Sequence, residues 1–333
     1  MSALTRTRFA VVAGALALLA AAPLLAADPT ALEAQKPIKL KGPVGKRLDH
    51  MALDGKRDRL YVANSGNSTL DVVDLKTGAV LKSLTGLEGV QGVVYVPESD
   101  RVFTALASGQ CHIFDGDGWK LLKSHKIPSA DNPYHDAKNG VVYLTQADKK
   151  LSVIDAKTLA LKNEVQLPSA PASIAVEKGR PRAYVNAHVP RQVHVLDTTK
   201  NTVQQKYQLD EAGNYPLALD EANHRLFVGC RQEPKLIVLD TETGKALATI
   251  PIPGDVDDIY YDAKRKQVYL SCGQGFVVVL REAATNKFEV REKLPTLKDA
   301  RTSLFDADTG RLFVAVPAVS DKDGPEVRVY RVR

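Results

Sequence analysis

The residues of this chain best suited to chemistry stand at fixed distances from a recurring aromatic. Tyr61, Phe103, Tyr143, Tyr184, Phe227, Tyr269 and Phe313 follow one another at intervals of 42, 40, 41, 43, 42 and 44 residues. Counting back twelve and eleven positions from each gives Asp49-His50, Gln91-Gly92, Asp131-Asn132, Ala172-Ser173, Tyr215-Pro216, Asp257-Asp258 and Arg301-Thr302. The surrounding segments resemble one another, yet these pairs differ sharply. Three or four positions past the aromatics stand Asn64, Gln146, His188, Cys230, Arg231 and Cys272.

Gathered at one place, His50, Asp131, Asn132, His188, Asn214, Tyr215, Arg231, Asp257, Asp258 and Arg301 form a candidate ligand site. Acids, guanidinium groups and imidazoles around a concave opening suit a small polar or anionic ligand. Arg231 and Arg301 could hold a carboxylate or phosphate bidentately. The competing account is structural, with Asp257 or Asp258 pairing with Arg301. Asp49 is read separately, as an acid capping a turn at the start of a strand.

These residue types could support three chemistries. A hydrolase or lactonase could use His50 or His188 as general base and Arg231 or Arg301 to hold an oxyanion. No G-x-S-x-G elbow or Gly-rich phosphate loop accompanies them. A metal could take His50 and His188 with Asp131 or Asp257, but no close ligand spacing such as H-E-x-x-H exists, and no cofactor is expected. A Cys230–Cys272 disulfide is disfavoured, because equivalent positions of neighbouring repeats should lie beyond the ~7 Å Cα limit. Cys111, Cys230 and Cys272 are expected as buried free thiols.

The elements that must position these residues come from the same repeat. Each aromatic sits in a short strand, such as Leu60-Tyr61-Val62-Ala63 or Val268-Tyr269-Leu270-Ser271. A second strand follows at a regular offset, as in Leu70-Asp71-Val72-Val73-Asp74 and Leu236-Ile237-Val238-Leu239-Asp240. Its Asp opens a turn such as Asp74-Leu75-Lys76-Thr77-Gly78, where the carboxylate can accept backbone N–H groups. Seven copies at this spacing predict an all-β, seven-bladed β-propeller of four-stranded blades over residues 28–333. The innermost strands would line a central channel, and the varied pairs would ring one of its mouths. At the other end Asp54, Asp136, Asp220, Asp262 and Asp306, with Glu177, recur as turn residues. The seventh repeat lacks an outer strand, and Pro37-Ile38-Lys39-Leu40 is predicted to supply it and close the ring.

Leu60-Tyr61-Val62-Ala63-Asn64, Leu70-Asp71-Val72-Val73-Asp74 and Thr77-Gly78 resemble the YVTN-type propeller repeat. Over about 300 residues the chain resembles bacterial exported proteins of the YncE-like group. The resemblance implies the fold. Roles known in that group, including DNA binding, surface-layer and scaffold functions, do not transfer with a shared fold.

Arg6 and Arg8, the apolar run from Phe9 to Ala22, and Leu25-Ala26-Ala27 before Asp28 read as a secretory signal over residues 1–27. Export to the periplasm or medium is expected, with no membrane insertion after cleavage. Losing Arg6 and Arg8 takes the net charge from +6 to +4, without the dense basic cluster expected of a nucleic-acid binder. The expected protein is a monomeric binding or interaction scaffold for a small polar or anionic ligand or a periplasmic protein partner, not nucleic acid.

Overall fold

The computed structural model describes residues 30–43, 45–320 and 323–333. The signal read over residues 1–27 therefore lies outside the described residues. Seven antiparallel sheets form in succession, the first running Met51–Asp54, Arg59–Asn64, Thr69–Asp74 and Val80–Leu84. The chain is a seven-bladed β-propeller. No helix among the described residues is long and apolar enough to cross a membrane.

The blades hold together by packing face to face. Seven apolar clusters form, each between two neighbouring blades, including one that joins the seventh to the first. The recurring aromatics fill these layers. Tyr61, Phe103, Tyr184, Phe227 and Phe313 have no exposed surface, and Tyr143 and Tyr269 almost none. Apolar burial is thus spent between blades, and the axis is left as an open channel.

The last sheet closes as predicted, with an addition. Ile38–Lys39 pairs with Glu326–Val332, matching Ile38 to Val327. Leu32–Ala34 also pairs with that strand, matching Leu32 to Val332. Leu-Glu-Ala favours helix on propensity alone, so this half of the clasp has no local signature. Its position is fixed by tertiary partners. The Glu292 carboxylate accepts the Ala31 and Leu32 N–H groups, at 2.6 and 3.1 Å.

The recurring Asp residues at the far end of the inner strands are turn residues, whereas Glu177 bonds the Arg180 and Tyr184 side chains. Asp54 accepts the N–H groups of Lys56 and Arg57, and Asp262 those of Lys264 and Arg265. Asp136, Asp220 and Asp306 do the same in their own blades.

Candidate functional site

The inner strands are irregular where the varied pairs fall. Register breaks occur between Val90 and Gly92, Ala130 and Pro133, Asn214 and Leu217, and Val256 and Asp258. These bulges contain Gln91, Asp131-Asn132, Tyr215-Pro216 and Asp257. In the other three blades the inner strands begin only at Met51, Ile174 and Ser303, after the pair has passed. A bulge places an extra residue against the partner strand and re-aims its side chain. Here the side chains point to the channel.

Hydrogen bonds between and within blades hold the bulges in place. Asn132 Nδ2 donates to the Ala172 carbonyl at 2.8 Å, and Asn132 N donates to Thr145 Oγ1 at 2.9 Å. Asn186 Nδ2 donates to the carbonyls of Tyr215 and Pro216, at 3.0 and 3.1 Å. His50 N donates to the Gln91 carbonyl at 3.1 Å.

The channel forms a cavity of about 850 Å³. His50, Asp131, Asn132, Tyr215, Arg231, Asp257, Asp258 and Arg301 all line it. Two candidates do not. Asn214 is fully buried, donating to Asn186 Oδ1 and the Gln192 carbonyl at 2.9 Å each, and ties its blade to the previous one. The backbone bulge begins just after Asn214, so its side chain leaves on the opposite course from that of Tyr215. His188 stands outside the cavity lining and stacks on the Tyr215 ring, with centroids 4.9 Å apart. The Arg231 guanidinium also lies over that ring, 3.8 Å from its centroid, a favourable cation–π contact.

The charges at this mouth are already extensively paired. Arg231 and Arg301 alternate with Asp255 and Asp257 in a closed quartet. Arg301 bonds Asp255 and Asp257 at 2.9 Å each, while Arg231 bonds Asp257 and approaches Asp255 at 3.4 Å. The proposed Asp257–Arg301 ion pair is therefore present. A bidentate clamp for an incoming anion is not, because both guanidinium groups face carboxylates.

Asp49 departs from its expected role as a turn cap. It is 2% exposed and pairs with Arg47 at 2.6 Å, with His50 Nε2 at 3.8 Å. On its other side His50 places Nδ1 3.5 Å from Asp258 Oδ2. Burial pulls the His50 pKa down, but the charge and hydrogen bond of Asp258, and the charge of Asp49, push it well above its ordinary value. His50 is thus held as an imidazolium, a poor proton acceptor. Burial raises Asp49 to about 7 against the pull of His50 and Arg47. His188 is shifted the other way, by burial and by Arg231, and stays neutral.

Arg47 and Asp255 were missed by the sequence reading. Both stand fourteen residues before their aromatic. Of the five equivalent positions elsewhere, Gly89, Ser129, Gly213 and Asp299 have positive φ, as has Asp255 at 59°, and Ala170 does not. A position filled mostly by small or turn-forming residues reads as a loop, which hid Arg47, which lines the channel, and Asp255, which pairs with the arginines that do.

The three cysteines are buried free thiols. Burial pushes each of them up to about 12. No group of three or more His, Cys, Asp or Glu side chains among the described residues is arranged to hold a metal ion.

No protein-family model matches the chain. Two curated relatives do, both called uncharacterized protein YncE, from Salmonella typhi and Salmonella typhimurium. Each is 24% identical over 195 residues, which is 56% of this chain and 54% of the relative. The chain thus spans about half the length of the curated relatives it matches. Among solved structures it is similar to U3-55K, with a TM-score of 0.76 and 9% identity over 89% of this chain and 98% of that one. It is also similar to Kuenenia stuttgartiensis hydrazine synthase, with a TM-score of 0.75 and 12% identity over 88% and 97%. At such identities the likeness speaks for fold alone. The ring of blades makes this chain a seven-bladed β-propeller, similar over about half its length to YncE.

Proposed function

We propose that the chain is an exported binding scaffold whose ligand docks at the mouth of the channel that carries His50, Asp131, Tyr215 and Arg301. Export rests on the signal-like residues 1–27. The binding reading rests on one observation: polar and charged side chains from all seven blades converge on a single cavity of about 850 Å³. That volume is within the range of small-molecule sites. The arrangement is also stiff, since its bulges are bonded across blades and its ion pairs are closed. A preorganised site loses little freedom when it binds.

The test is a thermal-shift screen of small polar and charged compounds on protein lacking residues 1–27, with hits titrated by calorimetry. Saturable binding that weakens in Tyr215→Ala is expected. A screen without hits, or hits that bind the variant equally well, overturns the reading.

A further inference from the structure

The pairing of charges at the mouth is uneven in a way that selects the ligand. Five carboxylates gather there, those of Asp49, Asp131, Asp255, Asp257 and Asp258. Four cationic groups oppose them, Arg47, Arg231, Arg301 and His50. Each cation has at least one carboxylate partner. Four of the carboxylates have a cation in return. Asp131 does not, and its carboxylate makes no hydrogen bond or ion pair among the described residues.

We infer that the mouth takes an organic cation, whose ammonium or guanidinium group pairs with Asp131. This rests on the reading of the mouth as a ligand site. An incoming carboxylate or phosphate would have to break an existing pair to reach a guanidinium. An incoming cation meets a carboxylate that already lines the cavity and has no bond to give up. Burial raises the Asp131 pKa, while His50, Arg47 and Arg231 act against that rise. A partly desolvated carboxylate with no cation in direct contact gains strongly from one.

The carboxylate is also held for the purpose. Asp131 sits in the bulge between Ala130 and Pro133, and the next residue fixes that bulge through Thr145 and Ala172. A bare metal ion fits less well. It would need several oxygen or nitrogen ligands, and the neighbouring carboxylates are engaged. An alkyl ammonium needs one carboxylate, and Pro133, Pro216 and Ala172 in the same wall offer apolar surface to its carbon chain.

The experiment is calorimetric titration near pH 8 of the protein lacking residues 1–27 and of Asp131→Asn. Putrescine and agmatine serve as cationic probes, succinate as the anionic probe and magnesium as the metal probe. The Asp131 carboxylate bonds nothing, so the variant should keep its fold, which a melting curve checks. The expected result is saturable binding of an amine or guanidinium probe, weakened roughly tenfold or more in Asp131→Asn, with no binding of succinate. Succinate binding, amine binding unchanged in Asp131→Asn, or binding of no probe overturns the inference. Magnesium binding lost in Asp131→Asn, without amine binding, overturns it in favour of a metal. A compound from the wider screen that depends on Tyr215 but not on Asp131 sinks the cation while leaving the mouth as the binding site.

Discussion

His50 Nδ1 lies 3.5 Å from Asp258 Oδ2, joining the first blade to the sixth although the seventh stands between them in the ring. Asp258 secures the intervening blade as well, accepting the Ser303 N–H at 2.7 Å. The channel mouth is thus a cross-braced charge network as well as an opening, and the braces make it testable by pH.

The His50 pKa is raised in the folded protein from its ordinary 6.5 to about 10. A raised histidine contributes stability that is complete below its unfolded pKa and is lost as pH rises through the folded one. The raised Asp49 carboxyl acts in the same direction up to about 7. Between about pH 7 and 9 the unfolding free energy should therefore fall, on the order of 1–2 kcal/mol. His50→Gln should flatten that slope. Denaturant midpoints across the range test this, and an equal slope in the variant would count against the imidazolium.

Asp257 and Asp131 line one cavity but should respond oppositely to neutralisation. Asp257→Asn leaves Arg231 and Arg301 to share Asp255 and should cost about 3 kcal/mol. Asp131→Asn removes a carboxylate without partners and should be neutral or slightly stabilising. Equal losses in the two melts would refute the account of which charges are paired.

Deleting residues 28–41 should destabilise the whole ring and not merely fray one end. Leu32, Ile38 and Leu40 are buried in the clusters that join the last sheet to its neighbours, and each stabilises by ~1.5–3 kcal/mol. The deletion also exposes the edge of Glu326–Val332. A single cooperative transition lowered by roughly 10 °C or more is expected. An unchanged melt would show that the clasp does not close the ring.

Cys111, Cys230 and Cys272 should be silent in the native protein, since each is buried with a pKa pushed up to about 12. A thiol reagent should find three only after unfolding without reductant. Finding one would mean that two are bonded.

Much of the molecule was legible because its signals are local. The aromatic that recurs in every blade, the Asp that opens each turn and the spacing between copies are short-range features. They led to seven blades and to the pairing of Ile38–Lys39. Leu32–Ala34 was not legible, because those residues become a strand only against Val332, 300 residues away in sequence. The site was half legible for a related reason. Counting back from an aromatic locates a position along a strand, but a bulge decides which way the side chain turns. Tyr215 therefore faces the channel while Asn214, its neighbour, is buried between blades.

The sequence by itself determined the repeat, the ring and the mouth at which the blades differ. Only the tertiary structure decided what the charges there do. Arg231 and Arg301, candidates either for holding an anion or for structural pairing, are engaged by Asp255 and Asp257. Asp49 became a channel residue, and Asp131 was left without a partner. The physical reason is that turn and strand signals act between residues close in the chain. Charge pairing acts across a few ångströms of space, and the ring brings together there residues that lie up to 208 positions apart.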